Sequence, residues 1–215
     1  MSEVITELNN PLTSNYFQFK QLVLGSEFNW TREARTMKGA FDDENGRIVP
    51  LKDEDFVWFS HVFVGRPQGF QYSFVPLFYS DFAELALQVV GEILTANNIL
   101  GLCVYRMNAN LTQYQGGDEP RRRSPLHTDL EYLDEKTGSS NKGYRSTDHK
   151  ILLVYLNSFT EGETAVEVDG VEHLSKPAED KIITFNGKHL HAAYMPSAPQ
   201  DQRIVLNVAY HGVDR

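Results

Sequence analysis

The sequence has a single cysteine, Cys103, among its 215 residues. One thiol allows no disulfide within the chain and no metal site built from thiolates. No run of apolar residues approaches the roughly 18 that a transmembrane helix requires. The first residues, MSEVITELNNPLTSN, have no basic segment followed by an apolar run, so we expect no secretory signal. Together these absences favour a protein of the reducing cytoplasm without a membrane partner.

Basic residues are also scarce. Lys and Arg number 20 against 29 Asp and Glu, which gives a net charge of −9 at pH 7. This balance argues against a broad phosphate-binding surface and disfavours nucleic acid as a partner. The basic run 121–123 has Asp118 and Glu119 beside it, which is typical of a solvated loop or lid. The length and the 41% content of hydrophobic residues fit one domain, 1–215.

The first 98 residues predict two helices and one strand, which would support the rest of the domain. The stretch SNYFQFKQLVLG (14–25) has a plausible cap at Ser14 or Asn15 and a stop at Gly25. Its apolar face is expected to comprise Tyr16, Phe17, Phe19, Leu22 and Leu24. The stretch 80–98 keeps a 3.6-residue apolar period behind Ser80 or Asp81 as cap. FVWFSHVFV (56–64) reads as a buried strand.

Residues 99–215 change to short strands separated by polar turns. Strands are predicted in 99–111, 150–159, 164–174, 180–187 and 202–212. Asp169-Gly170 lies between alternating apolar residues and predicts a tight hairpin. The fold class is therefore mainly β (α+β), with a sandwich, barrel or jelly roll as its core. Two polar loops, 114–124 and 134–148, are expected to contact substrate through Tyr114, Tyr144 and Arg145, together with Tyr132 just before the second loop.

Between these loops, SPLHTDL (124–130) contains His127 and Asp129. In an extended segment, residues two apart point to the same face, so both side chains could reach one ion. An imidazole and a carboxylate suit a divalent first-row metal, and a second histidine would complete a set of three ligands. By itself a His-x-Asp spacing is weak evidence.

The third ligand has five candidates along the chain: His149, His173, His189, His191 and His211. In FNGKHLHAAYMP (185–196) a predicted strand is followed by a glycine turn and then by two of them. A histidine on the strand that returns from such a turn is well placed to reach a site in a jelly roll. This context favours His189 or His191, and we expect His149 to be a surface or loop residue.

Arg203 opens the predicted strand RIVLNVAY. We expect its side chain to point towards the interior, where an unpaired charge costs several kcal/mol. A bound dicarboxylate would compensate this charge through a bidentate contact.

The stretches HTD, EGETAVEV, KIITFNGKHLHA and QRIVLNVAY, in this order, resemble the core of the Fe(II)/2-oxoglutarate-dependent oxygenases, particularly the prolyl-hydroxylase-like branch. NYFQFKQLVLGSEFNW, DFVWFSHVFV and YRMNANLTQY are similar to small stand-alone members from tailed phages and marine bacteria. The resemblance covers nearly the whole chain. One departure is Glu161-Gly162-Glu163-Thr164, where many relatives have Gly-Gly-Glu-Thr.

The resemblance implies a double-stranded β-helix (jelly-roll) fold and a set of site residues. His127, Asp129 and His191 would be the catalytic iron ligands, since the family pattern Phe-x-Gly-x-x-x-His selects His191 over His189. Arg203 would bind the distal carboxylate of 2-oxoglutarate. Tyr105 and Thr164 would hydrogen-bond the same cosubstrate, although either could equally be a residue of the core.

The implied activity is hydroxylation of a C–H bond with O2 as cosubstrate and release of succinate and CO2. The substrate would be a peptidyl proline, an amino acid or another small molecule, and a phage-encoded enzyme would act in the host cytoplasm. Two other functions remain open: a non-catalytic jelly-roll module for binding or assembly, and a cupin-like metal enzyme without 2-oxoglutarate. A buried Arg203 beside a His/Asp/His cluster would disfavour both.

Overall fold

The computed structural model of the protein describes residues 3–33, 40–42, 47–49, 58–65, 77–114, 122–129 and 149–214. Two helices lie in the first half of the chain, α1 (Ser14–Leu24) and α2 (Ala83–Ala96). The strands of the first half are β1 (Ile5–Leu8), β2 (Thr31–Glu33), β3 (Ala40–Asp42), β4 (Arg47–Val49), β5 (Trp58–Gly65) and β6 (Leu77–Phe78). Those of the second half are β7 (Ile99–Gln113), β8 (Lys150–Tyr155), β9 (Thr164–Val168), β10 (Val171–Ser175), β11 (Ile182–Asn186), β12 (Leu190–Ala193) and β13 (Gln202–Asp214).

The strands form a large and a small antiparallel sheet, as expected for a jelly roll. The large sheet has eight strands in the order β1-β11-β8-β13-β7-β5-β2, with β6 paired to β5. The small sheet has the order β10-β9-β12, and β3 pairs with β4 separately. Isolated bridges from Arg123 to Tyr194 and from His127 to His191 add the segment 122–129 to the free side of β12. The mainly β, jelly-roll prediction is confirmed.

The central strands of the large sheet bury side chains on both faces. On β8, Leu152 and Val154 point towards the core that contains α1 and α2. Ile151 and Leu153 point the other way, into a second core that includes Val166 of the small sheet. The same two-residue alternation continues on β11 and β13. The space between the sheets therefore has walls from both, and the candidate site lies there.

Helix α1 is confirmed, but its predicted buried face is partly wrong. Tyr16, Phe19 and Val23 are buried, whereas Phe17 is 46% and Leu24 is 40% exposed. The buried positions follow a spacing of three and four residues, so an apolar residue next to this stripe faces solvent. The N-cap is Thr13, one residue before the predicted caps; its hydroxyl accepts a hydrogen bond from the Tyr16 amide at 3.1 Å.

Helix α2 and the hairpin after β9 also agree with the sequence. Neither Ser80 nor Asp81 is the N-cap of α2, which is Phe82 without a side-chain cap, although the Ser80 hydroxyl accepts from the Phe82 amide at 3.2 Å. At the hairpin, Asp169 and Gly170 have φ angles of 51° and 76°. Positive φ at both central residues is the backbone of a two-residue hairpin turn, which confirms that prediction.

Among the described residues, neither helix has the length and the apolar character that a membrane crossing would need.

We expect Gly187→Ala to lower the free energy of unfolding by about 1–3 kcal/mol, the usual cost of overfilling a packed site. Gly187 follows β11, its amide donates to the His149 carbonyl at 2.9 Å, and a Cβ there would overlap the His149 imidazole. Urea denaturation followed by circular dichroism measures the change.

The control is Gly91→Ala within α2, where an added Cβ would have no atom within 4 Å. This variant should be more stable by up to about 1 kcal/mol, because alanine is the better helix former. A Gly187→Ala protein as stable as the wild type would contradict the packing of this turn.

Candidate metal centre

The backbone brings the three expected ligands together where segment 122–129 meets β12. The His127 amide donates to the His191 carbonyl at 3.0 Å, and the His191 amide donates to the His127 carbonyl at 2.9 Å. This reciprocal pair sets the two imidazoles side by side, with ring centroids 4.7 Å apart. Asp129 follows two residues after His127 and reaches the same centre.

The donor atoms of this cluster converge. Asp129 Oδ1 lies 3.8 Å from His127 Nε2, and Asp129 Oδ2 lies 3.7 Å from His191 Nε2. One donor atom from each residue can be chosen so that all three lie within 4.8 Å of one another. These three residues could hold one metal ion. His191, not His189, is the histidine that joins His127 and Asp129.

Each imidazole is oriented through its other ring nitrogen. His127 Nδ1 lies 2.8 Å from the Pro125 carbonyl oxygen, and His191 Nδ1 lies 3.2 Å from the His189 carbonyl oxygen. A carbonyl accepts a proton from Nδ1, which leaves Nε2 of each ring with its lone pair towards the centre. This tautomer is the one that a metal ligand needs.

Burial and neighbouring charges set the protonation of the cluster. Burial, together with the nearby His191, lowers the pKa of His127 to about 4. Burial alone would raise the pKa of the Asp129 carboxyl, but the Arg106 guanidinium and the two histidines hold it well below its usual range. At neutral pH the site thus presents a neutral His127 and an ionised carboxylate. Two imidazole nitrogens and one carboxylate form a donor set that fits a divalent first-row metal such as Fe(II).

Two side chains that the sequence did not single out hold Asp129. Asn207 Nδ2 donates to Asp129 Oδ2 at 3.0 Å, and Arg106 Nη1 donates to Asp129 Oδ1 at 3.3 Å. Arg106 Nε also donates to Asn108 Oδ1 at 2.9 Å, and Asn108 donates to Asn110 in turn. Strand alternation could have indicated Asn207, which shares a face of β13 with Arg203 four residues earlier.

Arg203 is buried, as the sequence predicts, with 3% of the residue exposed. Its Nε donates to the Gly162 carbonyl at 3.0 Å, and its Nη2 donates to Thr164 Oγ1 at 3.0 Å. The Tyr155 ring lies 5.7 Å from the guanidinium carbon, and the Tyr155 hydroxyl lies 2.7 Å from Thr164 Oγ1. Burial lowers the pKa of Arg203, but an arginine remains charged in proteins. No carboxylate of the described residues forms an ion pair with it.

The turn before β9 positions the partners of Arg203. Glu161 and Gly162 have φ angles of 59° and 79°. Glu161 is the residue at which this chain departs from the Gly-Gly-Glu-Thr pattern, so a left-handed conformation that favours glycine is here adopted by a glutamate. The departure leaves the turn intact and Thr164 in contact with Arg203.

The other expected site residues have different surroundings. Tyr105 packs against the core between the sheets, on the side of the site. His149 lies in the loop just before β8, which is one of its two expected places, but it is only 8% exposed because it packs under the Gly187 turn. His61 Nδ1 lies 2.8 Å from the Asn29 carbonyl oxygen and its Nε2 lies 2.8 Å from the Ser80 hydroxyl, so both ring nitrogens have structural partners. Of the expected substrate contacts, Tyr114 is 39% exposed. Tyr132, Tyr144 and Arg145 lie outside the described residues.

Comparison with known proteins identifies the fold. No family profile and no curated protein sequence matches the chain. An oxidoreductase of the 2OG-Fe(II) oxygenase family from Burkholderia pseudomallei superposes with a TM-score of 0.57 at 13% identity, over 98% of this chain and 87% of the other. A prolyl hydroxylase from Trichoplax adhaerens, in complex with a hypoxia-inducible-factor peptide, gives a TM-score of 0.55 at 12% identity, over 97% of this chain and 84% of the other. The non-haem α-ketoglutarate-dependent epimerase SnoN of nogalamycin biosynthesis gives a TM-score of 0.51 at 10% identity, over 97% of this chain and 78% of the other.

The fold of this chain is that of the 2OG-Fe(II) oxygenases. In this oxygenase fold, the segment 122–129 and β12 carry the His127, Asp129 and His191 cluster, while β13 carries Arg203.

We expect His191→Ala to weaken Mn(II) binding by at least about 100-fold, since it removes a ligand and not only a group that orients one. His189→Ala is the matched control two residues away, because His189 contributes only its backbone carbonyl, which the substitution keeps. Calorimetric titration of both proteins with Mn(II) measures the difference. Equal losses in the two variants would contradict the choice of His191.

Proposed function

We propose that the protein is an Fe(II)- and 2-oxoglutarate-dependent dioxygenase that hydroxylates a C–H bond. The observation that carries this proposal is the buried Arg203 guanidinium, which lacks a carboxylate partner among the described residues. It contacts Tyr155 of the core between the sheets, and Phe185 of the same core packs against His191. A metal site alone does not require such an arginine. An anionic cosubstrate that binds both accounts for it.

The geometry of β13 supports a single ligand between the two features. Arg203 and Asn207 are four residues apart on one strand, so their Cα atoms are about 13 Å apart on the same face. Because Asn207 donates to Asp129, the metal centre lies at the Asn207 end of this interval. The long arginine side chain and a five-carbon dicarboxylate can together span the interval.

Each residue then has a defined task. His127, Asp129 and His191 would hold Fe(II), which, when bound with 2-oxoglutarate and O2, supplies oxidative decarboxylation coupled to C–H hydroxylation. Arg203 would bind the distal carboxylate of 2-oxoglutarate through two parallel hydrogen bonds. Thr164 fixes one guanidinium nitrogen at 3.0 Å and so orients this fork. Tyr105 is proposed to hydrogen-bond the same cosubstrate.

The apolar walls of the site would keep water from the reaction. Leu153, Val205 and Phe185 are all at most 5% exposed and line the core between the sheets. The Phe185 ring also packs against the His191 ring, with centroids 5.1 Å apart. A dry, low-dielectric wall strengthens the contact between Arg203 and a carboxylate.

The two other functions are less well supported. A non-catalytic jelly-roll module gains nothing from a buried cation that no carboxylate of the described residues compensates, since such a cation costs free energy. A cupin-like enzyme without 2-oxoglutarate would use the metal cluster but leave the same guanidinium uncompensated.

We expect Arg203→Ala to raise the Kd of 2-oxoglutarate about 100-fold, equivalent to about 2.7 kcal/mol for the loss of a charge-assisted pair. Anaerobic titration of the protein with Fe(II) and then 2-oxoglutarate, followed by the visible charge-transfer band, measures this Kd. Metal binding itself should persist, because Arg203 contacts none of the three ligands.

The control is Arg123→Ala, which removes an exposed arginine whose Nη1 lies 2.7 Å from Glu172 Oε1. This variant should bind 2-oxoglutarate as the wild type does. The proposed function would be wrong if the wild type developed no band and bound no 2-oxoglutarate.

For the substrate we propose a peptidyl proline, a free amino acid or another small molecule. This proposal is supported by the sequence resemblance and by the fold that the chain shares with a prolyl hydroxylase. Fold alone does not fix a substrate. A panel of peptides and amino acids, analysed by mass spectrometry for the gain of one oxygen atom, should contain a substrate. Turnover confined to nucleic acid would exclude this class.

A further inference from the structure

Arg106 lies beside the metal centre with part of its guanidinium uncommitted. Its Nε donates to Asn108 Oδ1 at 2.9 Å, and its Nη1 donates to Asp129 Oδ1 at 3.3 Å. Its Nη2 makes no hydrogen bond to any residue in the described part of the chain. The Arg106 side chain is 34% exposed, whereas that of Asp129 is 3% exposed. Of the two side chains in this contact, that of Arg106 is therefore the one that an incoming molecule can reach.

Among the residues that the structure describes, the charges at the site do not balance without a further anion. Asp129 is the acidic partner of Arg106 among the described residues, and the same carboxylate would also bind the divalent metal. The negative charge of Asp129 is thus shared between two cations. 2-Oxoglutarate offsets Arg203 and part of the metal charge, which leaves one positive charge in excess at the centre. Such a charge in a partly desolvated place favours an anionic ligand.

Orientation of Asp129 does not by itself explain an arginine here. Asn207 already holds one oxygen of this carboxylate at 3.0 Å with a neutral amide. A second amide would hold the other oxygen equally well, without repelling a divalent cation. Arg106 weakens metal binding by that repulsion, and an anion on its Nη2 would offset it.

We propose that Arg106 binds a carboxylate of the primary substrate. The substrate is then a small carboxylic acid, such as a free amino acid, and not an internal residue of a peptide, whose neighbouring amides are neutral. This inference rests on the proposed function and narrows its substrate class. The half-exposed Arg106 takes the substrate, whereas the buried Arg203 takes the cosubstrate.

The test uses acetate and acetamide, two probes of nearly equal shape that differ in charge. The protein is loaded with Mn(II), a paramagnetic ion without redox chemistry here, and with saturating 2-oxoglutarate. Nuclear relaxation of the probe methyl protons then reports binding near the ion. In the wild type we expect acetate to bind and acetamide to bind at least about tenfold more weakly, as for the loss of a charge-assisted contact.

Variants separate the charge of Arg106 from its shape. Arg106→Gln should weaken acetate about tenfold and leave acetamide unchanged, while Arg106→Lys should keep the preference for acetate. Arg123→Gln, which also removes an arginine from an ion pair, should behave as the wild type. If Arg106→Gln fails to bind Mn(II), the proposal is tested by the preference for acetate over acetamide in the wild type and in Arg106→Lys.

Equal binding of the two probes to the wild type, or acetate binding unaffected by Arg106→Gln, would overturn the proposal. The second result would mean that acetate binds the metal directly. The methylene protons of 2-oxoglutarate are monitored in the same spectra. Absence of their relaxation by Mn(II) in the wild type would instead contradict the proposed function, so the two failures are distinguishable.

Discussion

The site depends on one buried carboxylate. Asp129 is only 3% exposed at its side chain, and an ionised carboxylate in that position costs several kcal/mol unless it is compensated. Compensation comes from Arg106 on β7 and from Asn207 on β13, and a metal ion held by His127 and His191 would add to it. These contacts connect different strands to the two oxygen atoms of the Asp129 carboxylate. The carboxylate thus fixes the spacing between the large and the small sheet at the site.

Strand β13 links this centre to the rest of the fold. Ile204, Leu206 and Val208 face the core with the helices, while Arg203, Val205 and Asn207 face the space between the sheets. The apolar face is stabilised by burial, and this stability holds the polar face in place. A strand buried on both sides therefore tolerates two polar residues directed inward. It can do so because each has partners: Thr164 and Gly162 for Arg203, and Asp129 for Asn207.

Much of this arrangement could be predicted from the sequence, because strand alternation and turn chemistry are local. The Asp169-Gly170 hairpin, both helices and the strands of the second half are confirmed, with ends shifted by a few residues. The grouping of His127, Asp129 and His191 followed from motif order. Arg106 was missed because its contact with Asp129 joins residues 23 apart across two sheets. The predicted buried face of α1 was partly wrong, and the burial of the loop residue His149 was not foreseen, because the packing of neighbouring elements and not the local pattern decides which residues are covered.

Arg203 and Arg106 have the same side-chain chemistry but differ in burial, and this difference suits them to different ligands. Both guanidiniums can donate to a carboxylate, and a dicarboxylate would fit either by charge. Arg203, at 3% exposure, is fixed by its hydrogen bonds to Thr164 and Gly162. It suits a cosubstrate that is the same in every cycle. Arg106 Nη2 makes no hydrogen bond to the residues that the structure describes, and its side chain is 34% exposed beside the metal ligand Asp129. An anion bound there lies next to the reacting centre and is accessible from outside, which is the position that a substrate must take.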